Sequence, residues 1–275
     1  MVGVGIIGCG AIGTTLAEAF DTGIIKNAEL VAVFDIYEDH MENLVKRLKH
    51  KPKKYYEFET FLQNGKTEII VEAASQEAVS YYAERIISSG MDLMIMSTGA
   101  LLDEQLLKKI RKAADAHGRY IHVPSGAIGG LDVIKAAKLG GLKKVVLTTR
   151  KNPESLKDSA HFKMMVKDPD NMKEAKVIFE GTANDAVKIF PANINVSATL
   201  SLAGIGGTDT IVRVIADPFV DKNIHEVEVE GKFGKMKILL ENIKHPDNPK
   251  TSYLAVLSAI ETLRSALLER VLIGT

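Results

Sequence analysis

At 275 residues the chain has room for two domains or one large one, and its 46% hydrophobic and 25% charged residues exclude the disordered and fibrous classes. Lysine plus arginine equals aspartate plus glutamate at 35 each, so no net field recruits nucleic acid or an anionic membrane, and neither partner is expected. The single cysteine, Cys9, excludes an internal disulfide and fits a reducing compartment. Met1 leads straight into a strand without a basic and apolar leader, and the longest apolar runs fall short of the ~18 residues that cross a bilayer, so a cytoplasmic location is expected.

From the N-terminus, Val4 to Ile7 form a short apolar run of the kind buried in a parallel strand. Gly8-Cys9-Gly10-Ala11-Ile12-Gly13 then matches G-x-G-x-x-G at a strand-to-helix turn. In such a turn Gly8 permits the sharp bend, Gly10 lets the backbone approach a pyrophosphate, and Gly13 lets the helix lie close to the strand. Phosphates rest on the N–H groups of the helix N-terminus. A helix is expected over 14–20 and a second strand over 29–34, closed by Asp35. Asp35 stands where a carboxylate accepts both ribose hydroxyls of an adenosine. Ile36 and Tyr37 follow, so no arginine waits there for a 2′-phosphate; NAD is the expected cofactor, with NADP open as a second one.

The pattern continues with a charged helix over 38–49, a lysine-rich loop over 49–54, and a short strand and helical turn over 55–62. A buried strand follows over 68–72, then a helix over 76–89 whose Val79, Tyr82, Ala83, Ile86 and Ile87 recur at helical spacing. A strand at 93–96, a helix at 103–117 and a strand at 119–123 complete the alternation, the mark of a doubly wound parallel sheet. Ligands sit at the carboxyl ends of such strands, which selects the turns 8–13, 73–75 (with Ala74), 97–100 and 124–130.

The pattern changes near Ser125. A helix at 130–139 and strands at 144–150, 176–180, 208–217 and 225–230 suit a mixed sheet with one solvated face. Residues 157–174 read as a polar surface connection. Asn193 and Asn195 mark the start of a small-residue helix. Asn248 to Ser252 lead a long amphipathic helix over 253–271, with Leu254, Leu257, Ile260, Leu263 and Leu267 as its apolar stripe. The fold class is therefore α/β: a dinucleotide-binding domain over 1–124, onto which the C-terminal helix (247–275) packs back, and an α+β domain with an open-faced mixed sheet over 125–246.

Hydride chemistry needs a group that takes or gives a proton, and histidine suits that at neutral pH. His40, His50, His117 and His161 read as solvated. His122 lies on a strand near the ligand-binding turns, His245 just before the last turn, and His225 at the start of a strand in the second domain. No metal site is expected.

Several motifs in order along the whole chain resemble the L-aspartate dehydrogenase family: Gly8 to Gly13, Val123-Pro-Ser-Gly-Ala127-Ile-Gly-Gly-Leu-Asp132, Pro191-Ala-Asn-Ile-Asn195-Val-Ser-Ala198, Ala216-Asp-Pro218 with Asn223-Ile-His225, and Asn248-Pro-Lys-Thr-Ser252. The resemblance implies oxidation of L-aspartate to iminoaspartate, which yields oxaloacetate and ammonia or supplies quinolinate and NAD synthesis. It implies that His225 is catalytic and that Ala127 and Asn195, with neighbouring Asn193, contact the cofactor. It also implies a homodimer. Lys250, Thr251 and Ser252 read either as helix capping or as a hold on a substrate carboxylate. Homoserine dehydrogenase, which would want a catalytic lysine and aspartate in the second domain, and a non-catalytic NAD-binding sensor are the alternatives.

Overall fold

The computed structural model describes residues 1–190 and 195–268. By its own packing the chain divides into two units, Met1–Pro124 joined by the last helix from Val256 onward, and Ser125–Ala255.

The first unit alternates strand and helix: β1 (Val2–Ile7), α1 (Ala11–Asp21), β2 (Ala28–Phe34), α2 (Glu38–Arg47), β3 (Lys53–Tyr55), α3 (Phe58–Leu62), β4 (Ile69–Glu72), α4 (Gln76–Ser88), β5 (Asp92–Ile95), α5 (Glu104–His117) and β6 (Ile121–His122). The six strands are parallel in the order β3-β2-β1-β4-β5-β6. This is the dinucleotide-binding order, with its switch point between β1 and β4. Both faces are covered, so β1 and β4 are buried along nearly their whole length, as their unbroken apolar runs require. Local signals set the helix starts: Ser75 Oγ accepts from Ala78 N–H at 3.2 Å, and the Asp103 carboxylate accepts from the N–H groups of Gln105 and Leu106.

The second unit contains α6 (Leu131–Gly140), β7 (Leu142–Lys151), α7 (Ala160–Met165), β8 (Lys176–Thr182), α8 (Ala183–Ile189), α9 (Asn195–Ala203), β9 (Ile211–Ala216), β10 (Asn223–Gly231), β11 (Gly234–Asn242), β12 (Lys244–His245) and β13 (Asn248–Ser252), and leads into α10 (Tyr253–Leu268). Five strands form a mixed sheet in the order β11-β10-β7-β9-β8. Along β10, Asn223, His225, Val227 and Val229 are buried while Ile224, Glu226, Glu228 and Glu230 are half-exposed. One face is thus inner and the other open. The inner face receives α6 and α9: a Cβ on Gly204 would touch both Val145 and Ile134, at 3.5 and 3.7 Å.

Several expectations need correction here. The connection at 157–174 contains α7, whose Phe162 is fully buried, and His161 is no solvated side chain: its Nε2 lies 2.8 Å from the Ile178 carbonyl and its ring packs edge-on to Phe179 and Phe190. Strand β11 was not expected at all, because its apolar residues alternate with lysine and glutamate and its inner face is only partly covered. Asn248 to Ser252 lead directly into the helix at Tyr253, as expected, but do so as a strand paired with β12, and residues 248–255 group with the second unit. On α10 the buried edge is Val256, Ala259, Ile260 and Leu263, packed with Leu16, Ala17, Met41 and Leu44; Leu257 is 41% exposed. The small Ala259 lets α10 approach closely along an edge that a list of leucines does not mark.

That rotation is testable. Leu263→Ala should destabilise the first unit by ~2–5 kcal/mol in urea unfolding followed by NADH fluorescence, whereas Leu257→Ala should cost under ~1 kcal/mol. Equal losses would contradict the placement of the helix.

Candidate functional site

In the first unit the turn after β1 is shaped by contacts that admit no side chain. Gly8 has φ +94, and a Cβ there would lie 2.6 Å from the Ala73 carbonyl and the Ala74 nitrogen; a Cβ on Gly13 would lie 1.9 Å from the Gly8 carbonyl oxygen. The turn after β1 and the turn after β4 are therefore in direct backbone contact. A Cβ on Gly10 would meet nothing within 4 Å. Gly10 begins α1, which has no acidic residue in its first turn and no side-chain cap. An open, uncapped helix start beside a closed turn is the form that receives a pyrophosphate, so the residues fit a dinucleotide.

Asp35 is held in place at the end of β2. Its Oδ2 accepts from Cys9 N–H at 2.7 Å, its Oδ1 accepts from Tyr37 N–H at 2.9 Å, and His40 Nδ1 stands 3.5 Å from Oδ2. Each carboxylate oxygen keeps a further lone pair for a ribose hydroxyl. Cys9 is buried, and burial followed by the Asp35 charge pushes its thiol well above the ordinary range, so it packs rather than reacts.

Sequence reasoning gave no role to Glu72, at the end of β4. Its carboxylate accepts from Ala74 N–H at 2.8 Å, Ser97 N–H at 3.0 Å and Ser97 Oγ–H at 2.8 Å. It pins the turns that follow β4 and β5 to each other. Burial raises its pKa, and the hydrogen bonds from Ser97, Ala74 and Ser75 oppose that rise. Ala74, expected at the cofactor, directs its N–H into this internal bond. The only signal in the sequence was a carboxylate inside an otherwise apolar strand.

In the second unit the functional candidates gather on the inner face of the mixed sheet. His225, 2% exposed, lies opposite Thr149 of β7, and Thr149 Oγ1 is 3.0 Å from His225 Nδ1. Two residues along β7 on the same face is Lys151, buried beside Ala216 of β9. Asn223, two residues before His225, is also buried, and its Nδ2 donates to Ser252 Oγ at 3.3 Å. Burial, and then the charge of Lys151, push the His225 pKa down to about 3. Burial, and then the charge of Lys244, push Lys151 down to about 8. At neutral pH the imidazole is therefore neutral and the lysine charged. Thr149 and Lys151 were missed because β7 read only as a strand; the signal was their phase, shared with the buried Val145 and Leu147.

The other expected residues fall as follows. Ala127 is buried in the second unit, where its carbonyl accepts from Asn242 Nδ2 at 3.0 Å. Asn195 opens α9 and its carbonyl accepts from Thr199 Oγ1 at 3.3 Å. Asn193 lies outside the described residues. Ser252 is brought to the inner-face cluster through Asn223, while Lys250 and Thr251 share its strand. His245 is buried, with Nδ1 accepting from Asp247 N–H at 3.1 Å. His122 is half-buried, burial lowers its pKa, and its Nε2 has no partner among the described residues.

Comparison with known proteins bears on both units. Residues 132–266 match the family model for the C-terminal part of aspartate dehydrogenase, and residues 8–124 match the NAD-binding domain of homoserine dehydrogenase. The L-aspartate dehydrogenase of Methanosarcina barkeri is 44% identical over 275 residues, covering 100% of both chains. That of Nitrosopumilus maritimus is 44% identical over 272 residues, covering 99% of both. The crystal structure of aspartate dehydrogenase from Thermotoga maritima superposes with a TM-score of 0.78 at 31% identity, covering 100% of both chains.

The depressed pKa of His225 has a direct readout. In the free protein its ring should stay neutral from pH 8 to pH 5 in histidine-labelled NMR spectra, while an unfolded-state histidine titrates near ~6.5. Because the unfolded chain then binds the extra proton, this residue removes stability as pH falls below ~6.5 and has no such effect above it. A His225 resonance titrating near ~6.5 would contradict the buried setting.

Proposed function

The chain belongs to the L-aspartate dehydrogenase family, and from that premise we propose that His225 is the proton acceptor for the reaction it carries out. The protein is an NAD(P)-dependent oxidoreductase that oxidises L-aspartate to iminoaspartate. The observation that supports His225 is its pairing with Thr149 on the inner face, where burial keeps the imidazole neutral.

The residues that would hold the cofactor are Gly8, Gly10, Ala11, Ile12 and Gly13 at its phosphates, Asp35 at its adenosine ribose, and Ala74, Ala127, Asn195 and Asn193 elsewhere along it. Support comes from the open position at Gly10 and the fixed carboxylate of Asp35. When bound, NAD(P) supplies the nicotinamide ring that takes the Cα hydrogen of the substrate with its electron pair. The protein's own task is the proton. The substrate arrives as an ammonium, whose nitrogen has no lone pair to form C=N until a base removes a proton. His225 accepts that proton at Nε2, since Thr149 engages Nδ1 and fixes the ring. The nitrogen lone pair then forms the C=N bond as Cα–H is lost. The imine hydrolyses to oxaloacetate and ammonia, or supplies quinolinate and NAD synthesis. His225, returned to its neutral form, can instead activate the water that attacks the imine.

A location in the cytoplasm is part of this reading; no described helix is long and apolar enough to cross a membrane. Assembly as a homodimer through the open face of the mixed sheet is a further part. It is supported by Leu239 and Val177, 57% and 44% exposed on that face, among half-exposed glutamates.

His225→Ala should lower kcat for L-aspartate by ~10²–10⁴-fold while the NADH dissociation constant stays unchanged. Turnover that survives nearly intact would remove the assignment. For the cofactor, Asp35→Ser should shift the ratio of kcat/KM values toward NADP by ~10-fold or more, through loss of a carboxylate that repels a 2′-phosphate. An unchanged ratio would place the ribose elsewhere.

A further inference from the structure

The turns that follow β4 and β5 carry no charge of their own: residues 73–75 are Ala-Ala-Ser and residues 97–100 are Ser-Thr-Gly-Ala. Glu72 is the charge beneath them. It ends β4 between Ile7 of β1 and Ile95 of β5, is 2% exposed, and stands one hydrogen bond behind Ala74, which is exposed. The groups that reach its carboxylate, Ala74 N–H, Ser97 N–H and Ser97 Oγ–H, all donate, and none brings a charge. Tying two turns together needs acceptors, which a neutral amide oxygen supplies without the desolvation of an anion. A buried carboxylate is accounted for once a positive charge stands near it.

With Asp35 at the adenosine ribose and residues 8–13 at the phosphates, the strand order β3-β2-β1-β4-β5-β6 carries the remaining half of the dinucleotide toward β4 and β5. That half ends in the nicotinamide ring, cationic in NAD+ and neutral once it has taken a hydride. We propose that the Glu72 carboxylate is the counter-charge for the oxidised nicotinamide, acting across the turns it holds rather than by contact. The inference rests on the cofactor assignment above and deepens it, from where the cofactor lies to which redox form the site favours. Opposite charges separated by protein rather than water attract over a longer range. Burial raises the Glu72 pKa and the donors oppose that rise; a cation beyond the turn moves the balance further toward the ionised form. Once the ring is neutral, Glu72 loses its partner, and NADH is held less firmly relative to NAD+. The carboxylate thereby favours exchange of NADH for NAD+ between turnovers.

Calorimetric binding of NAD+, NADH and ADP-ribose to the full chain, without substrate, reads this apart from turnover. ADP-ribose keeps the adenosine, both phosphates and the second ribose but lacks the ring. Glu72→Gln should weaken NAD+ by ~10-fold and leave NADH and ADP-ribose within ~3-fold of the wild type. Glu72→Asp, which keeps the charge, should preserve the wild-type ratio of NAD+ to NADH affinity. If the glutamine variant does not fold, the wild type decides. Protonating Glu72 removes the same charge, so NAD+ affinity should fall relative to NADH affinity between about pH 7.5 and about pH 5.5. Ala74, Ser75 and Ser97 face the carboxylate, and none of them titrates in that range.

Equal losses for all three ligands in Glu72→Gln would overturn the proposal, as the mark of a glutamate that only ties the turns. A ratio of NAD+ to NADH affinity unmoved by the glutamine variant, or flat with pH in the wild type, would overturn it as well. In those cases NADH still binds the wild type and the cofactor assignment stands. Failure of the wild type to bind any of the three would overturn that assignment, and the counter-charge with it.

Discussion

An ammonium and an imidazole buried on one face of a sheet oppose each other's protonation, and the inner face of the second unit is organised around that conflict. Lys151 and His225 are both withdrawn from water, and each is shifted first by burial and then by a neighbouring positive charge. The conflict is resolved by leaving the imidazole neutral and the lysine charged. Thr149 is what makes the neutral ring useful: bonded at Nδ1, the imidazole has a fixed orientation and one nitrogen for exchange. Around these groups, Asn223, Ser252 and Asn242 supply neutral polar atoms, and Lys244 adds the further charge that acts on Lys151.

The first unit meets a different constraint, the close approach of backbone to backbone. Gly8 and Gly13 allow the turn after β1 to contact both the turn after β4 and the first turn of α1. Glu72 then ties the turns of β4 and β5 together from within. A buried carboxylate surrounded by N–H and O–H donors rigidifies loops that would otherwise have no core of their own. Asp35 does the same on the other side, accepting from Cys9 within the glycine turn. The nucleotide-binding turns are thus held by two carboxylates, one fully buried and one largely buried.

The parts of this architecture that were legible in the sequence are those in which a local signal and the tertiary outcome coincide. The glycine spacing and the apolar strands of the parallel sheet depend on neighbours within a few residues. The histidine was located by a motif, and its phase with Val227 and Val229 agrees with burial. Strand β11 was illegible for the opposite reason: its partly covered face gives a weak alternation, and its pairing with β10 is what makes it a strand. His161 and α7 were misread because a polar sequence hid one buried phenylalanine. Of the stripe read on α10, Ile260 and Leu263 are buried and Leu267 packs against the same core, while Leu257 is exposed and Val256 and Ala259 complete the contact edge.

The sequence by itself determined the order of elements in the first unit, the nucleotide-binding turn and the family to which the chain belongs, because each of these is written in short-range spacing or in residues that follow one another along the chain. The tertiary structure alone decided which polar residues act together. Lys151, Thr149, Asn223, His225 and Ser252 come from three segments separated by tens of residues; strand register places the first four on one face, and a hydrogen bond from Asn223 joins Ser252 to them. Register and burial set their charges as well: a lysine and a histidine carry ordinary pKa values in an unfolded chain, and burial beside a neighbouring cation lowers both, which leaves the imidazole neutral while the lysine still holds its proton at neutral pH.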